Sequence, residues 1–239
     1  MEKYHFGFQI GFNQMMYSLK YIPNFQNEAQ DPNSWPNAPI NIDKVDELYV
    51  YDLTTQKVPG FTVGIIGNLR LGNYFDLRFI PSLSFGERKL DYTFVTKDIN
   101  PSPGDEQFAT YNITKSIFST FVEFPWLIKY RSKRYNNIGG YIIGGINPKL
   151  DLATQKKDRI EINMENTQTT VIDNIQTKRF DIAAEIGAGY DFYNQWFKMG
   201  VEIKMSYGLL NIVKEDDLIY TADIKKLRNK MFLISLTFE

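Results

Sequence analysis

GFTVGIIGNLRLGNYFDLRFIPSLSFG, residues Gly60–Gly86, decides the fold when it is read in twos. Phe61, Val63, Ile65, Leu69 and Leu71 share one face of an extended chain, and Thr62, Gly64, Asn68 and Arg70 share the other. Gly72-Asn73 breaks the run, and the alternation resumes with Phe75, Leu77, Phe79, Leu83 and Phe85 against Asp76, Arg78, Ser82 and Ser84. A period of two over about ten residues on each side of a two-residue turn signals a β-hairpin. One face is bulky and aromatic; the other is small, polar and charged. This is the wall of a closed barrel, and the rest of the chain repeats it.

Upstream, Tyr4, Phe6, Phe8, Ile10 and Phe12 alternate with His5, Gly7, Gln9, Gly11 and Asn13. Tyr21–Val58 carries four prolines and many Asn and Asp, and reads mostly as loop, with Leu48–Leu53 able to extend a strand beyond the wall. Leu90, Tyr92 and Phe94 continue the third strand up to a loop at Pro101–Gly104. Further strands follow at Lys115–Tyr130, at Gly139–Leu150 (whose facing the pattern leaves open), from Phe180, from Phe197 and over Lys230–Glu239. Thr221–Arg228 has the cap and spacing of a short helix. The connections alternate long and short. One rim therefore carries large loops, the other carries tight turns and both termini, and residues 1–239 form one domain without a linker.

The bulky face must be assigned to the inside or the outside. Five or six large apolar side chains from each of eight strands overfill a barrel of that size, whose interior only just accommodates packed side chains. The opposite face carries Gly7, Gly11, Gly64, Gly187, Gly189 and Gly200, which suits the crowded concave side. The bulky face therefore meets lipid, as in membrane barrels and opposite to soluble ones. Tyr74, Phe75, Trp126, Tyr130, Tyr190, Phe192, Tyr193, Trp196 and Phe197 fall beside the short turns, where an interfacial girdle belongs. The expected fold is all-β: an eight-stranded antiparallel up-and-down transmembrane barrel with long extracellular loops, short periplasmic turns and outer-membrane lipid around it. Strand-like sequence from Tyr4 onward fits an exported, mature chain.

Composition excludes several functions. A net charge of −1, with no extended basic patch, gives no footprint for nucleic acid. Cysteine is absent and His5 is the single histidine, so thiolate or histidine metal sites and histidine-based catalysis have no support. Glu215-Asp216-Asp217 lacks the spacing of a calcium loop and reads as solvated. No cofactor, metal or catalytic residue is assigned, and the chain reads as a non-enzyme. The inward face holds Arg70, Asp76, Arg78, Glu123, Lys129, Asp181, Glu185, Asp191, Glu202 and Lys204. Buried charges must pair. Interleaving of both signs favours a structural plug of salt bridges over a proton or ion path. Arg131, Lys133 and Arg134 form a basic short turn, a candidate contact for an acidic partner.

Three segments carry a family resemblance: LRLGNYFDLRFIPSLSFGERKL (Leu69–Leu90), VEFPWLIKYRSKRYNNIGGYIIGGINPKLDLA (Val122–Ala153) and the ending DLIYTADIKKLRNKMFLISLTFE. With the opening FGFQIGFNQM, they resemble the PorT (SprT) proteins. Trp126-Leu127-Ile128 replaces a leucine-rich centre, and Ile138-Gly139 stands where Arg-Pro is common. The resemblance implies an eight-stranded outer-membrane barrel associated with type IX secretion and gliding motility, with other secretion-system proteins as partners and no catalytic residues to carry over. The residues alone also leave open a small passive pore or a ligand-binding barrel.

Overall fold

A computed structural model describes residues 3–32, 45–97, 108–153, 159–164, 167–172, 177–214 and 219–239. Its strands are β1 (Tyr4–Tyr21), β2 (Glu47–Gln56), β3 (Val58–Arg70), β4 (Phe75–Phe79), β5 (Ser82–Lys97), β6 (Phe108–Glu123), β7 (Trp126–Arg131) and β8 (Ile138–Asp151). They continue with β9 (Arg159–Met164), β10 (Thr167–Ile172), β11 (Phe180–Tyr193), β12 (Lys198–Gly208) and β13 (Ile224–Phe238). A single turn of helix, α1 (Ile219–Ala222), precedes β13. Apart from the β9–β10 hairpin, the sheet runs β11-β12-β13-β1-β3-β4-β7-β8-β6-β5-β2, and pairing of β11 with β8 closes it.

Three pairs of segments are single wall strands, which leaves a ring of eight. β4 and β5 pair with β3 in one register, from Gly67↔Phe79 to Phe61↔Phe85, and part only at Pro81. β6 and β7 likewise share one register on β8 and part at Pro125. Proline has no N–H to donate to a ladder. The breaks lie side by side, and the Ile80 N–H donates to the Pro125 carbonyl across them at 3.2 Å. β2 and β3 run consecutively along β5, with one residue inserted between Val50 and Asp52 and another between Gln56 and Phe61. Such bulges bend a strand, here where it leaves the ring.

The expected facing holds all round the wall. Phe6, Phe12 and Ile186 are 76%, 79% and 65% exposed, whereas Gln9, Asn13, Arg78, Lys129 and Glu202 on the opposite face are buried. β8, ambiguous in sequence, turns Ile142, Ile146 and Leu150 outward and Tyr141, Ile143, Asn147, Lys149 and Asp151 inward. Lipid is the solvent that satisfies this outer face. Ile203→Arg should therefore cost about 2–4 kcal/mol, clearly more than Ile203→Ala. Urea titration of the barrel in liposomes reads the difference, and equal midpoints for the two variants would count against the outward assignment.

Several boundaries differ from the sequence reading. The Gly72-Asn73 turn spans Leu71–Tyr74, with the N–H groups of Leu71 and Gly72 both donating to the Phe75 carbonyl. β1 runs unbroken to Tyr21, β2 occupies Glu47–Gln56 within the stretch 21–58, and β5 and β6 extend as a hairpin up to Lys97↔Phe108. The stretch 151–177 contains β9 and β10. The helix is Ile219–Ala222 and not Thr221–Arg228, because β13 begins at Ile224 and pairs with β1 almost to its end. Trp126 lies away from the girdle, in the middle of the wall, where it packs on Phe79 at 4.4 Å. Pro101–Gly104 and Glu215–Asp217 lie outside the described residues.

Candidate functional site in the barrel lumen

The lumen is filled in layers. Nearest the short turns, Arg78 donates through Nη1 to Glu202 Oε2 at 2.9 Å and through Nη2 to Glu239 Oε1 at 2.7 Å. The Tyr141 hydroxyl donates to the same Glu202 oxygen at 2.8 Å, and Lys198 pairs with Glu239. Lys129 donates to both Asp191 oxygens, at 3.0 and 2.7 Å, with its Nζ 3.5 Å from the centre of the Tyr141 ring. Lys204 reaches Glu202 at 3.5 Å and Glu185 at 3.8 Å, and Asn147 Nδ2 donates to Glu185 at 2.7 Å. A small apolar layer of Ile66, Ile80, Leu127, Tyr141 and Ile143 packs beside these groups.

Deeper in the barrel, Ser82 and Ser84 donate to Glu123 at 3.4 and 3.3 Å, and Asn13 donates to Thr62 at 2.9 Å. A second knot forms around Arg88. It pairs with Asp151 at 2.7 Å, bonds Asn229 and Ser119, and lies between the Tyr17 and Phe121 rings. Asn229 passes the chain on to Asp181 at 2.8 Å. Each charge is buried next to an opposite charge or a hydrogen-bond partner, the condition for ions out of water.

Above the Arg88 knot the chemistry changes to an apolar roof. Leu48, Val50 and Leu53 of β2, Leu90, Tyr92 and Phe94 of β5, and Ile212, Val213, Ile219, Tyr220, Ile224 and Leu227 pack with Tyr17 into one buried cluster. The Tyr92 hydroxyl donates to the Tyr220 carbonyl at 2.8 Å, and the two rings meet edge to face. The hydrophobic logic inverts here. Beyond Phe85 the outward side chains of β5 are Glu87, Lys89 and Asp91, so this part of the sheet stands in water with its apolar face turned in.

The roof has one weak point. Asp223 is buried at its edge, accepts from Gln30 Nε2 at 3.1 Å, and has its carboxyl pushed up to about 6, first by burial and then by the Glu28 charge. A carboxyl that binds its proton more tightly in the folded state loses stability as pH rises from its ordinary value to about 6, and above that the penalty is complete. Asp223→Asn should therefore stabilise the barrel by about 1 kcal/mol at pH 7, after discounting for the nearby water. The gain should vanish toward pH 4. Urea midpoints of both proteins at the two pH values test this, and a gain that persists unchanged at pH 4 would contradict it.

Of the inward charges singled out from sequence, Arg78, Glu185, Glu202 and Lys204 come together in one network. Lys129 pairs with Asp191, Glu123 with serines, and Asp181 with Asn229. Arg70 stays apart, half-buried at the turn with its Nε donating to the Gly72 carbonyl. Arg131 is not part of an exposed turn. It ends β7 facing inward, with its Nε 2.8 Å from Asp76 Oδ2, because the alternation of Leu127, Lys129 and Arg131 carries on to the strand end. Lys133 and Arg134 are exposed, and the Arg134 guanidinium lies 3.4 Å from the Tyr193 ring centre. Arg88, Lys149, Asp151, Tyr141 and Asn229 were not foreseen. Among the described residues no group of acidic or histidine side chains is arranged to hold a metal.

The arrangement braces the wall from within, and the single histidine, His5, lies apart from it on the reach of β1 by the short turns, opposite Asn68. No curated protein matches the chain. Residues 2–214 match the family described as outer membrane protein beta-barrel domain, and with a closed ring of eight antiparallel strands, an apolar outer belt and a polar lumen, the chain belongs to that family of the bacterial outer membrane.

Proposed function

We propose that this barrel is a non-enzymatic accessory or assembly component of type IX protein secretion and gliding motility, working through its surfaces. The observation that carries the reading is the filled lumen. Paired charges from Arg78 to Arg88 occupy the bore, and the cluster around Tyr92 and Tyr220 roofs it. An eight-stranded barrel has no room for a polypeptide in transit even when its side chains are small. A role as conduit or passive pore is disfavoured, and contacts with other proteins take its place. The secretion assignment itself draws on the resemblance of Leu69–Leu90, Val122–Ala153 and the C-terminal segment to PorT proteins.

A candidate contact surface is the part of the sheet that rises beyond the lipid belt, where β2, β5 and β6 form a three-stranded extension with a polar outer face. The long loops at this end face the outside of the cell and both termini face the periplasm. Cells lacking the chain should lose export of type IX cargo, and re-expression should restore it. Purification from native membranes under mild detergent should bring other secretion proteins with it. Undiminished export from cells without the chain would overturn the reading.

A further inference from the structure

The outer wall is not evenly covered. Where β7, β8, β11 and β12 meet, small residues stand opposite large ones. Gly140 faces Tyr190, Gly144 lies between Ile128 and Ile186, and Ala188 lies between Ile142 and Ile203. The result is an apolar furrow of about 1180 Å³ running from the short-turn rim up to Met205 and Phe232. It is open to the membrane along its length.

The rim end of the furrow is polar and positive. Ser132 lines it, with its hydroxyl accepting from the Gly140 N–H at 3.1 Å. Beside Ser132 stand Lys133 and Arg134, both exposed, with Arg134 braced over the Tyr193 ring. The two turns at this end, RSKRYNN (Arg131–Asn137) and NQWFK (Asn194–Lys198), contain four cations and no carboxylate. Two of the four are already used, Arg131 by Asp76 and Lys198 by Glu239. Lys133 and Arg134 have no ion-pair partner among the described residues.

We propose that this furrow is a seat for one glycerophospholipid of the membrane leaflet on the short-turn side. Its acyl chains lie along Gly144 and Ala188, and its phosphate meets Lys133 and Arg134. Charge complementarity selects the occupant. An apolar partner helix or second barrel fills the furrow but leaves the two cations unanswered, whereas a phosphodiester supplies the anion at the depth where basic side chains meet headgroups. The same placement gives the basic turn a lipid and not an acidic protein as its ligand.

The test measures phospholipid phosphorus and lipid mass on the intact barrel, extracted in mild detergent and exchanged into lipid-free detergent. Ala188→Phe fills the furrow from an outward-facing position. Gly144→Leu does the same, and a Cβ there meets its nearest neighbour, the Glu185 carbonyl, at an ordinary 3.5 Å. Lys133→Ala with Arg134→Ala removes the headgroup contacts, and Val63→Phe, elsewhere on the lipid-facing wall, is the control. Heat-modifiable gel mobility verifies that each variant is folded. The native barrel and the control should retain about one phospholipid per chain, and the furrow and cation variants should retain at least tenfold less. Equal retention in all folded variants would overturn the proposal. So would a photo-crosslinker placed at Ile203 that captures a protein and not a lipid in native membranes.

Discussion

Removing Leu236–Glu239 should abolish insertion of the barrel and not merely weaken it. β13 is the strand on which the ring closes in sequence terms, pairing with β12 on one side and β1 on the other. Leu236 stands between Val201 and Ile10, and Phe238 stacks on Phe8 with ring centres 4.9 Å apart. Glu239 exchanges backbone hydrogen bonds with Lys198 at 2.7 and 2.9 Å, and its side chain holds Arg78. The deletion opens both seams at the short-turn rim and takes one of two carboxylates from the buried Arg78 guanidinium at once. Unpaired backbone groups in hydrocarbon cost several kcal/mol each, so a few rungs exceed the whole stability of an ordinary domain, about 5–15 kcal/mol. Heat-modifiable, protease-resistant protein in the outer-membrane fraction should be undetectable. Insertion at the level of the full chain would defeat the claim.

Arg78→Met should be the most damaging single substitution in the lumen. Its guanidinium is completely buried and answers both Glu202 and Glu239. Deleting one partner of a buried pair leaves an uncompensated charge and costs about 3–5 kcal/mol. Neutralising the survivors changes the balance. In the triple variant Arg78→Met, Glu202→Gln, Glu239→Gln both carboxylates left behind are neutral, Lys204 keeps Glu185 and Lys198 stands partly in water, and a substantial part of the loss should return. Unfolding in urea from liposomes measures both proteins. A triple variant as unstable as the single one would mean that Arg78 acts through its packing and not through its charge.

The wall was legible because lipid makes barrel patterning strict: every second residue from Tyr4 to Phe12, and nearly every second one from Phe61 to Phe85 outside the Gly72-Asn73 turn, is apolar. What the alternation hid were its changes of sense. On β5 the outward side goes from Leu83 and Phe85 to Glu87, Lys89 and Asp91, while the inward side goes from Ser82 and Ser84 to Leu90, Tyr92 and Phe94. Leu90, Tyr92 and Phe94 read as a simple continuation of the strand. They are the roof, and the inversion at Glu87 was the signal for it. Arg88 was missed in the same run, since GERKL carries charge on both faces and periodicity cannot choose between them. Lys149 and Asp151 were lost because the glycine pairs Gly139-Gly140 and Gly144-Gly145 leave β8 without side chains to read, and only its pairing with β7 and β11 fixes its facing. Tyr220 and Ile212 come from stretches with no strand pattern at all; only tertiary contact places them over the bore.

The bore is sealed by its own side chains. Single-channel recording tests it most directly, with purified barrel reconstituted into planar bilayers and insertion verified independently. The barrel should show no steady conductance above the bare membrane, because the charge pairs around Arg78 and Arg88 and the roof around Tyr92 lie in series across the bore. A uniform, long-lived conductance step accompanying most insertion events would contradict it.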